Sequence, residues 1–236
     1  MASLDSPPQG IPIDATPHDC PYLDGEQAVL PLRWYRQNIE GPDFDALLAK
    51  SDRRVGRSLY RPSCPSCKAC QGIRVPVDLF KPSKSQRRVL RKNQDIRIMA
   101  GPPQVDDAHI ELFNRHKLMR DLAETPTTAN HYRQWLVTSC TQTLETRYML
   151  DDRLVGVGIL DLGARDASSA YFYFDPDLSD RSLGTFSALA EIRWLQSRGF
   201  RYYYLGLYVK ECAQLNYKAR FRPNERLIDE TWVGFE

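Results

Sequence analysis

The sequence has no long apolar run. None of its 236 residues belongs to a stretch that approaches the ~18–20 apolar residues of a membrane-spanning helix. The first nineteen residues, Met1 to Asp19, lack the basic start and apolar run of a signal peptide and are polar and proline-rich. We therefore expect a flexible lead-in at residues 1–19 and a cytoplasmic protein that does not enter a membrane. Internal repeats and low-complexity tracts are also missing, which excludes a repeat architecture.

Acidic residues are scarce in one part of the chain. Between Arg53 and Arg97 there are thirteen lysines and arginines but only two acids, Asp78 and Asp95. The rest of the chain carries nineteen basic and twenty-eight acidic residues. This asymmetry, hidden within a net charge of +2, is typical of a module that binds a polyanion, although a solvated basic surface has the same composition.

The basic region contains a predicted helix. Ser83 and Gln86 have the spacing of a capping box, which predicts a helix N-terminus. No acidic residue follows until Asp95, so salt bridges within the helix do not explain its basic side. Phosphate contacts explain it better. The candidate phosphate-binding residues are Arg87, Arg88, Arg91 and Lys92, with Lys84 on the same side.

The order of the remaining predicted elements indicates the fold class. We predict strands at 71–80, 97–100, 144–150, 154–162, 168–174, 202–209 and 227–234, and helices at 43–50, 106–120, 130–139, 183–198 and 214–219. Pro76 would suit an edge strand or a bulge, because proline cannot donate to a ladder. The order matches the α+β acyltransferase fold of the GCN5-related N-acetyltransferase type. We expect residues 1–95 to form a smaller, cysteine-containing basic module and residues 96–236 the acyltransferase-like domain.

Several motifs resemble one family. The run from Ser58 to Val77, with Cys64-Pro-Ser-Cys67-Lys-Ala-Cys70, and the run from Phe80 to Asn93 resemble the N-terminal signature of the arginyltransferase family. The C-terminal part of the chain resembles the same family in five short segments: Tyr171–Pro176, Ser182–Gly184, Tyr204–Gly206, Asn216–Lys218 and Phe221–Pro223. The resemblance is strongest to the bacterial branch. It implies transfer of leucine from leucyl-tRNA to an N-terminal Asp or Glu, which marks the protein for degradation. It thereby makes the four phosphate-binding candidates of the basic helix candidates for tRNA binding. Eukaryotic relatives take arginine.

The implied reaction sets what the protein must supply. An aminoacyl ester is already activated, so peptide-bond formation needs no ATP and no cofactor for the chemistry. Recognition of an acidic N-terminal side chain needs a cation in a pocket. We assign this role to Arg74 and Lys218. Each is equally consistent with an ordinary surface cation. The helix start at Ser182 and Gly184 has free N–H groups that suit a phosphate or the terminal ribose, or is a simple cap. Tyr204, within a family-like motif, completes the substrate-binding set.

Catalysis requires a proton acceptor and a donor to the oxyanion. In the acyltransferase fold the fourth and fifth strands splay apart to form the cleft. We place Asp161, Tyr171, Tyr173 and Asp175 at that cleft, as aspartates that relay the amine's proton and tyrosines that donate to the oxyanion. The competing interpretation is packing for the tyrosines and a turn at Asp175.

The cysteines suggest a metal site. Cys64, Cys67 and Cys70 have ferredoxin-like spacing, Cys20 would be a fourth ligand, and two sulfur pairs would equally serve zinc. The alternative is a set of reduced thiols packed in a small domain. Cys140, Cys212 and His116 have no companions, so we expect them to pack or to form hydrogen bonds.

Other functions stay open. An acetyl-CoA-dependent N-acetyltransferase would share the fold, but the chain lacks the longer glycine-rich pyrophosphate loop of those enzymes. A non-catalytic, metal-stabilised RNA-binding module would also account for the basic region and the cysteines. Within the family, an arginyl-tRNA donor remains an alternative to leucyl-tRNA.

Overall fold

The computed structural model describes residues 7–236 and begins with a small sheet. Its elements are β1 (Ile11–Asp14), β2 (His18–Asp19), β3 (Gln27–Ala28), β4 (Leu32–Trp34), α1 (Gly41–Ala49), β5 (Arg53–Val55) and β6 (Ser58–Tyr60). Four of the strands pair in the order β1-β4-β6-β5, and β2 pairs with β3. The expectation of a flexible lead-in is therefore wrong for β1, while residues 1–6 of that lead-in lie outside the described residues.

A sheet of eight strands forms the centre of the molecule. Its order is β14-β13-β7-β12-β11-β10-β9-β8. The elements are β7 (Gln71–Pro76), α2 (Lys84–Lys92), β8 (Arg97–Gly101), α3 (Asp107–Leu118), α4 (Ala129–Tyr132), β9 (Gln142–Leu150), β10 (Arg153–Leu162), β11 (Asp166–Phe174), α5 (Leu183–Gln196), β12 (Tyr202–Tyr208), α6 (Ala213–Asn216), β13 (Asn224–Ile228) and β14 (Thr231–Phe235). A π-helical turn, Arg133–Val137, follows α4, and 3-10 turns lie at Pro176–Arg181 and Tyr217–Arg220. The predicted α+β class and the meander followed by a crossover helix are confirmed.

One strand prediction is wrong, and one of the two alternatives for Pro76 is excluded. The single strand expected at 227–234 is a hairpin of β13 and β14, which turns at Asp229 and Glu230 with φ values of +44° and +62°. β7 is not an edge strand, because it pairs with β12 on one side and with β13 on the other. Pro76 is tolerated because it is the last residue of β7 and lies beyond the two residues that pair with β13.

The basic helix begins as predicted. The Ser83 hydroxyl accepts a hydrogen bond from the Gln86 backbone N–H at 3.3 Å, and the Gln86 side chain accepts one from the Ser83 N–H at 2.8 Å. This reciprocal pair satisfies two N–H groups that a helix start would otherwise leave unpaired. The Gln86 side chain also donates to the Arg220 carbonyl at 3.2 Å, which ties α2 to the C-terminal part of the chain.

Helices cover both faces of the large sheet. From α5, Leu189 and Ile192 are buried in one cluster, and Leu183 and Phe186 pack with Phe172 of β11 in another. From α3, Leu112 and Phe113 pack with Tyr173, the next residue of β11. Because successive strand residues point to opposite faces, α5 and α3 lie on opposite sides of the sheet.

The large sheet joins the two halves of the chain. Its strand β7 belongs to the predicted N-terminal module, yet it lies between β12 and β13 of the C-terminal part. The division into domains near residue 95 stays a prediction, and the sheet crosses that position. Among the helices of the described residues, none combines the length and the apolar character required to span a membrane.

Candidate active site

The cleft lies where β11 and β12 separate. These parallel strands pair only from Asp166 to Ser168 against Tyr202 to Tyr204. Beyond that point β11 continues to pair with β10 as far as Phe174, but it no longer pairs with β12. The gap opens into a cavity of about 530 Å³. The strand separation expected of an acyltransferase fold is therefore present.

The start of α5 borders this cavity. Ser182 and Gly184 line it, as predicted. Ser182 has a left-handed backbone with φ of +55°, and its side chain caps no helix N–H. The helix start therefore faces the cleft without a side-chain cap, and the positive end of its dipole favours an anion there.

Basic side chains surround the same space. Lys218 lines the cavity, as predicted, and its Nζ donates to the Leu207 carbonyl at 3.0 Å. Burial, reinforced by the nearby charge of Arg53, lowers the pKa of Lys218 to about 7. Arg53 and Arg120 also line the cavity. A ligand with negative charge would offset the cost of partly burying Arg53 and Lys218.

Arg53 is a residue that the sequence analysis missed. No carboxylate pairs with it among the described residues, and its Nε is buried without a hydrogen-bond partner. Its guanidinium lies over Gly206 of β12, where a Cβ would overlap it, and Gly206 has φ of +89°. The only sequence signal for a cleft-facing cation here is the Arg53-Arg54 pair. Neighbouring residues of a strand face opposite sides, so one of the two arginines must face away from the other. Arg54 points to the interior, so Arg53 points to the cleft.

Tyrosines complete the wall of the cavity. Tyr171 lines it, as predicted, together with Tyr22 and Tyr217. Burial raises the pKa of Tyr171 to about 12, so its hydroxyl keeps its proton at neutral pH and can donate a hydrogen bond. His116 also lines the cavity, but it is buried and its Nδ1 contacts the Phe174 backbone at 3.0 Å. Burial lowers the pKa of His116 to about 4. This agrees with the hydrogen-bonding role expected for it.

A second cavity of about 390 Å³ adjoins the first. The two share Tyr22, Arg53, Ala170 and Tyr171. The other lining residues include Leu32, Tyr60, Trp135 and Leu136, together with Asp14, Thr16 and His18 from the N-terminal segment. The N-terminal segment therefore contributes directly to the site.

Three of the predicted catalytic residues do not line the cleft. Asp161 is buried, accepts hydrogen bonds from Arg54 and Thr143 at 2.8 Å, and is thereby part of the core. Tyr173 is fully buried and its hydroxyl lies 2.7 Å from that of Tyr132. Asp175 is buried at the strand exit, where Arg115 and Arg153 donate to it. The expectation that these side chains face the cleft is wrong, because each is satisfied by an internal partner.

Arg74 and Tyr204 also lie elsewhere. Arg74 forms an ion pair with Glu225 at 2.6 Å, and it donates to the Tyr204 hydroxyl at 2.9 Å. Its guanidinium is sandwiched between the rings of Tyr202 and Trp232, at 3.7 and 4.1 Å from their centroids. The predicted substrate-binding position of these two residues is wrong. They hold β7, β12 and the C-terminal hairpin together.

The basic helix α2 presents an exposed positive surface. The side chains of Arg87, Arg88, Arg91 and Lys92 are exposed. Arg87 donates to the Pro82 carbonyl at 2.6 Å, and Lys92 forms an ion pair with Asp180 at 2.8 Å. Arg88 and Arg91 make no ion pair within the described residues. These two residues therefore have the most freedom to contact phosphate.

The four cysteines of the predicted metal site lie together. Cys20, Cys64, Cys67 and Cys70 all line one cavity of about 500 Å³. Burial, followed by the neighbouring thiols, raises the pKa of Cys70 to about 12. In the described part of the chain no three cysteine, histidine or acidic side chains are arranged to hold a metal ion. The side chains as placed do not form a ligand set for zinc or an iron–sulfur cluster.

Comparison with known proteins identifies the family. The family model for the C terminus of arginine-tRNA-protein transferase matches residues 108–228, and the model for its N terminus matches residues 18–88. An aspartate/glutamate leucyltransferase of Saccharophagus degradans is 35% identical, over 93% of this chain and 94% of the relative. One from Marinobacter nauticus is 37% identical, over 92% of each chain.

Comparison of structures identifies the fold. A solved C-terminal domain, named after a lysylphosphatidylglycerol synthetase of Agrobacterium fabrum, superposes with a TM-score of 0.54 at 12% identity. The match covers 93% of this chain and 82% of that domain. The predicted acyltransferase-like fold is confirmed. The two family models and the extent of the similarity to leucyltransferases together show that the chain belongs to the arginine-tRNA-protein transferase family.

Proposed function

We propose that the protein transfers leucine from leucyl-tRNA to the N-terminal Asp or Glu of other proteins. The observation that carries this proposal is the cleft between β11 and β12, which combines an open helix start with cations that have no carboxylate partner in the described part of the chain. The names of the relatives supply the donor and the acceptor, since both are aspartate/glutamate leucyltransferases. Leucyl addition would mark the acceptor for degradation, and the need for charged tRNA supports a reaction in the cytoplasm.

The tRNA side of the reaction is assigned to α2 and α5. Arg88 and Arg91 of α2 supply phosphate contacts that give affinity without base specificity. The start of α5, at Ser182 and Gly184, receives the 3′-terminal phosphate or ribose. Together the two elements bring the aminoacyl ester into the cleft.

The acceptor side is assigned to the cations in the cleft. A guanidinium is the best match for a carboxylate because it donates two parallel hydrogen bonds. Arg53 has no competing carboxylate in the described residues, so an acidic N-terminal side chain can pair with it. Lys218 lines the same cavity and, with its pKa lowered to about 7, adds a second positive charge when protonated.

The chemistry follows from the ester bond. The acceptor amine attacks the aminoacyl carbonyl carbon, and the Tyr171 hydroxyl is placed to donate to the oxyanion that forms. The ribose oxygen then leaves with a proton. The ester supplies the driving force, so the reaction needs no cofactor, and a metal at the four cysteines remains a separate prediction.

Transfer of radiolabelled leucine or arginine tests the proposal. Each amino acid is supplied on its tRNA to purified protein, with peptides that begin with Asp, Glu or Lys as acceptors. We expect leucine on the Asp and Glu peptides alone. Transfer of arginine would support the proposed reaction type but show that the donor is arginyl-tRNA. Binding of tRNA without transfer, or acetyl transfer from acetyl-CoA in its place, would overturn the proposal.

A further inference from the structure

A buried glutamate lies just below the cleft. Glu191 is in α5, one turn after Ser187, and is 3% exposed. Its carboxylate makes no ion pair within residues 7–236. Three hydroxyl groups donate to it: that of Tyr203, that of Ser187 at 3.2 Å and that of Thr146 at 3.4 Å. A buried carboxylate that has hydrogen bonds but no opposite charge beside it is costly to ionise. A functional role would explain why it is present in the core.

The sheet leaves space for this carboxylate. Gly158 of β10 lies beneath it, and a Cβ added there would lie 2.6 Å from the Glu191 Oε1. A side chain at this position would therefore displace the carboxylate or one of its hydroxyl partners. The niche is made by the glycine and by the hydroxyl groups around it.

Two of the residues that supply these hydroxyl groups line the active-site cavity. Ser187 and Tyr203 both line the cleft and both donate to Glu191. Ser187 in turn accepts a hydrogen bond from the Tyr148 hydroxyl at 3.0 Å. A continuous path of hydrogen-bonding groups therefore runs from the cavity through Ser187 to the Glu191 carboxylate.

We propose that Glu191 is the proton acceptor of the transfer reaction, reached from the cleft through the Ser187 hydroxyl. The proposal rests on the proposed function and adds the destination of the amine's proton. As the amine nitrogen bonds to the ester carbon, it gives a proton to the Ser187 Oγ, and the Ser187 hydroxyl proton passes to Glu191. When the bond between the carbonyl carbon and the ribose oxygen breaks, the proton returns along the same path to that oxygen. Glu191 acts through Ser187 and is therefore a positioning residue.

The electrostatics of the niche support this role. Burial raises the pKa of Glu191 to about 7, so the carboxyl group can both accept and return a proton near neutral pH. The titratable groups that face it are Tyr148 from β9, Tyr203 from β12 and Tyr217 from the turn after α6. Burial raises the pKa of all three, so they remain neutral donors in this range.

Single-turnover transfer of leucine to a Glu-initiated peptide, measured against pH, tests the path. In the wild-type protein two groups must lose protons on the acidic side, the peptide amine and Glu191. In Glu191→Gln we expect a rate about 10²-fold lower, with only the amine titrating. Ser187→Ala should lose a similar factor. Glu111→Gln, an exposed glutamate of α3, is the matched control and should retain the wild-type profile.

Two further measurements keep the inference falsifiable. A Glu191→Gln protein with an unchanged rate and pH profile overturns it. So does a rate lost equally at every pH together with a lowered melting temperature, because a structural role would produce that result. Infrared difference spectra, with the carboxyl band assigned by Glu191→Gln, follow the protonation of Glu191 without any transfer. A carboxyl that does not titrate near pH 7 overturns the inference, whereas absence of leucine transfer by the wild-type protein overturns only the proposed function.

Discussion

Two neighbouring arginines of β5 show how a single strand separates structure from function. Arg54 is buried, donates to Asp161 at 2.8 Å and reaches the Thr138 carbonyl at 3.3 Å. Arg53 faces the cleft with no carboxylate partner among residues 7–236. Residues of the same type and one position apart therefore have opposite roles, because strand side chains alternate between faces.

Arg53→Met tests recognition of the acidic acceptor. We expect kcat/KM for Asp and Glu peptides to fall by about 10- to 100-fold, since a hydrogen bond to a charged group contributes about 1.5–3 kcal/mol. The loss should appear mainly in KM. Arg165→Met, an exposed arginine outside both cavities, is the control. An unchanged KM would remove Arg53 from the acceptor site.

Lys218→Met tests the cost of the buried lysine through the pH dependence of stability. The folded-state pKa of Lys218 is lowered from 10.5 to about 7, so the folded protein binds fewer protons than the unfolded chain between these values. The penalty is therefore complete below about pH 7 and disappears as the pH rises towards 10.5. Thermal unfolding should show the variant more stable than the wild type near pH 6 and the advantage shrinking in alkali. A pH-independent difference would contradict the lowered pKa.

At the scale of elements, local chemistry decided which predictions succeeded. The start of α2 was predictable because the side chains of Ser83 and Gln86, three residues apart, each accept a hydrogen bond from the other residue's backbone N–H. The C-terminal hairpin was not, since its turn places Asp229 and Glu230 at positive φ where glycine or asparagine is the usual signal. The cleft residues were predictable where a helix start marked them, as at Ser182. Asp161 and Tyr173 were not, because the sequence does not show which strand face a long-range partner occupies.

The double variant Arg88→Gln, Arg91→Gln tests α2 as the tRNA-binding element. Each phosphate contact contributes about 0.7–0.9 to the slope of log affinity against log salt concentration. Removal of both arginines should therefore weaken tRNA binding and reduce that slope by about one to two. Arg36→Gln, exposed in the loop after β4, serves as the control. An unchanged slope would show that tRNA binds elsewhere.

At the scale of the whole molecule, one sheet unites the two ends of the chain. β7 lies between β12 and β13, and its residues Ile73 and Val75 are fully buried in the core that α5 covers. The sequence predicted the order of elements in the C-terminal part. It could not show that a strand of the N-terminal part enters the same sheet, because no local pattern encodes pairing between strands that far apart.

Separate fragments test the domain division near residue 95. A fragment of residues 96–236 would lack β7 and leave the facing edges of β12 and β13 unpaired. We expect it to show no cooperative thermal transition by circular dichroism, and mixing it with residues 1–95 should restore one. A cooperative transition of the isolated fragment would instead support an independent acyltransferase-like domain.

The separation of β11 from β12 has a consequence for which proteins can be acceptors. From Ser169 to Tyr173 one edge of β11 lies against β10, while the other edge faces the cleft and has no strand beside it within residues 7–236. The amide and carbonyl groups on that open edge can form hydrogen bonds with the main chain of an extended polypeptide, whatever the side chains of that polypeptide. Binding through the main chain does not depend on the sequence of the acceptor. The selection among acceptors can therefore depend on the N-terminal residue alone. An enzyme built in this way can treat many different chains as one substrate.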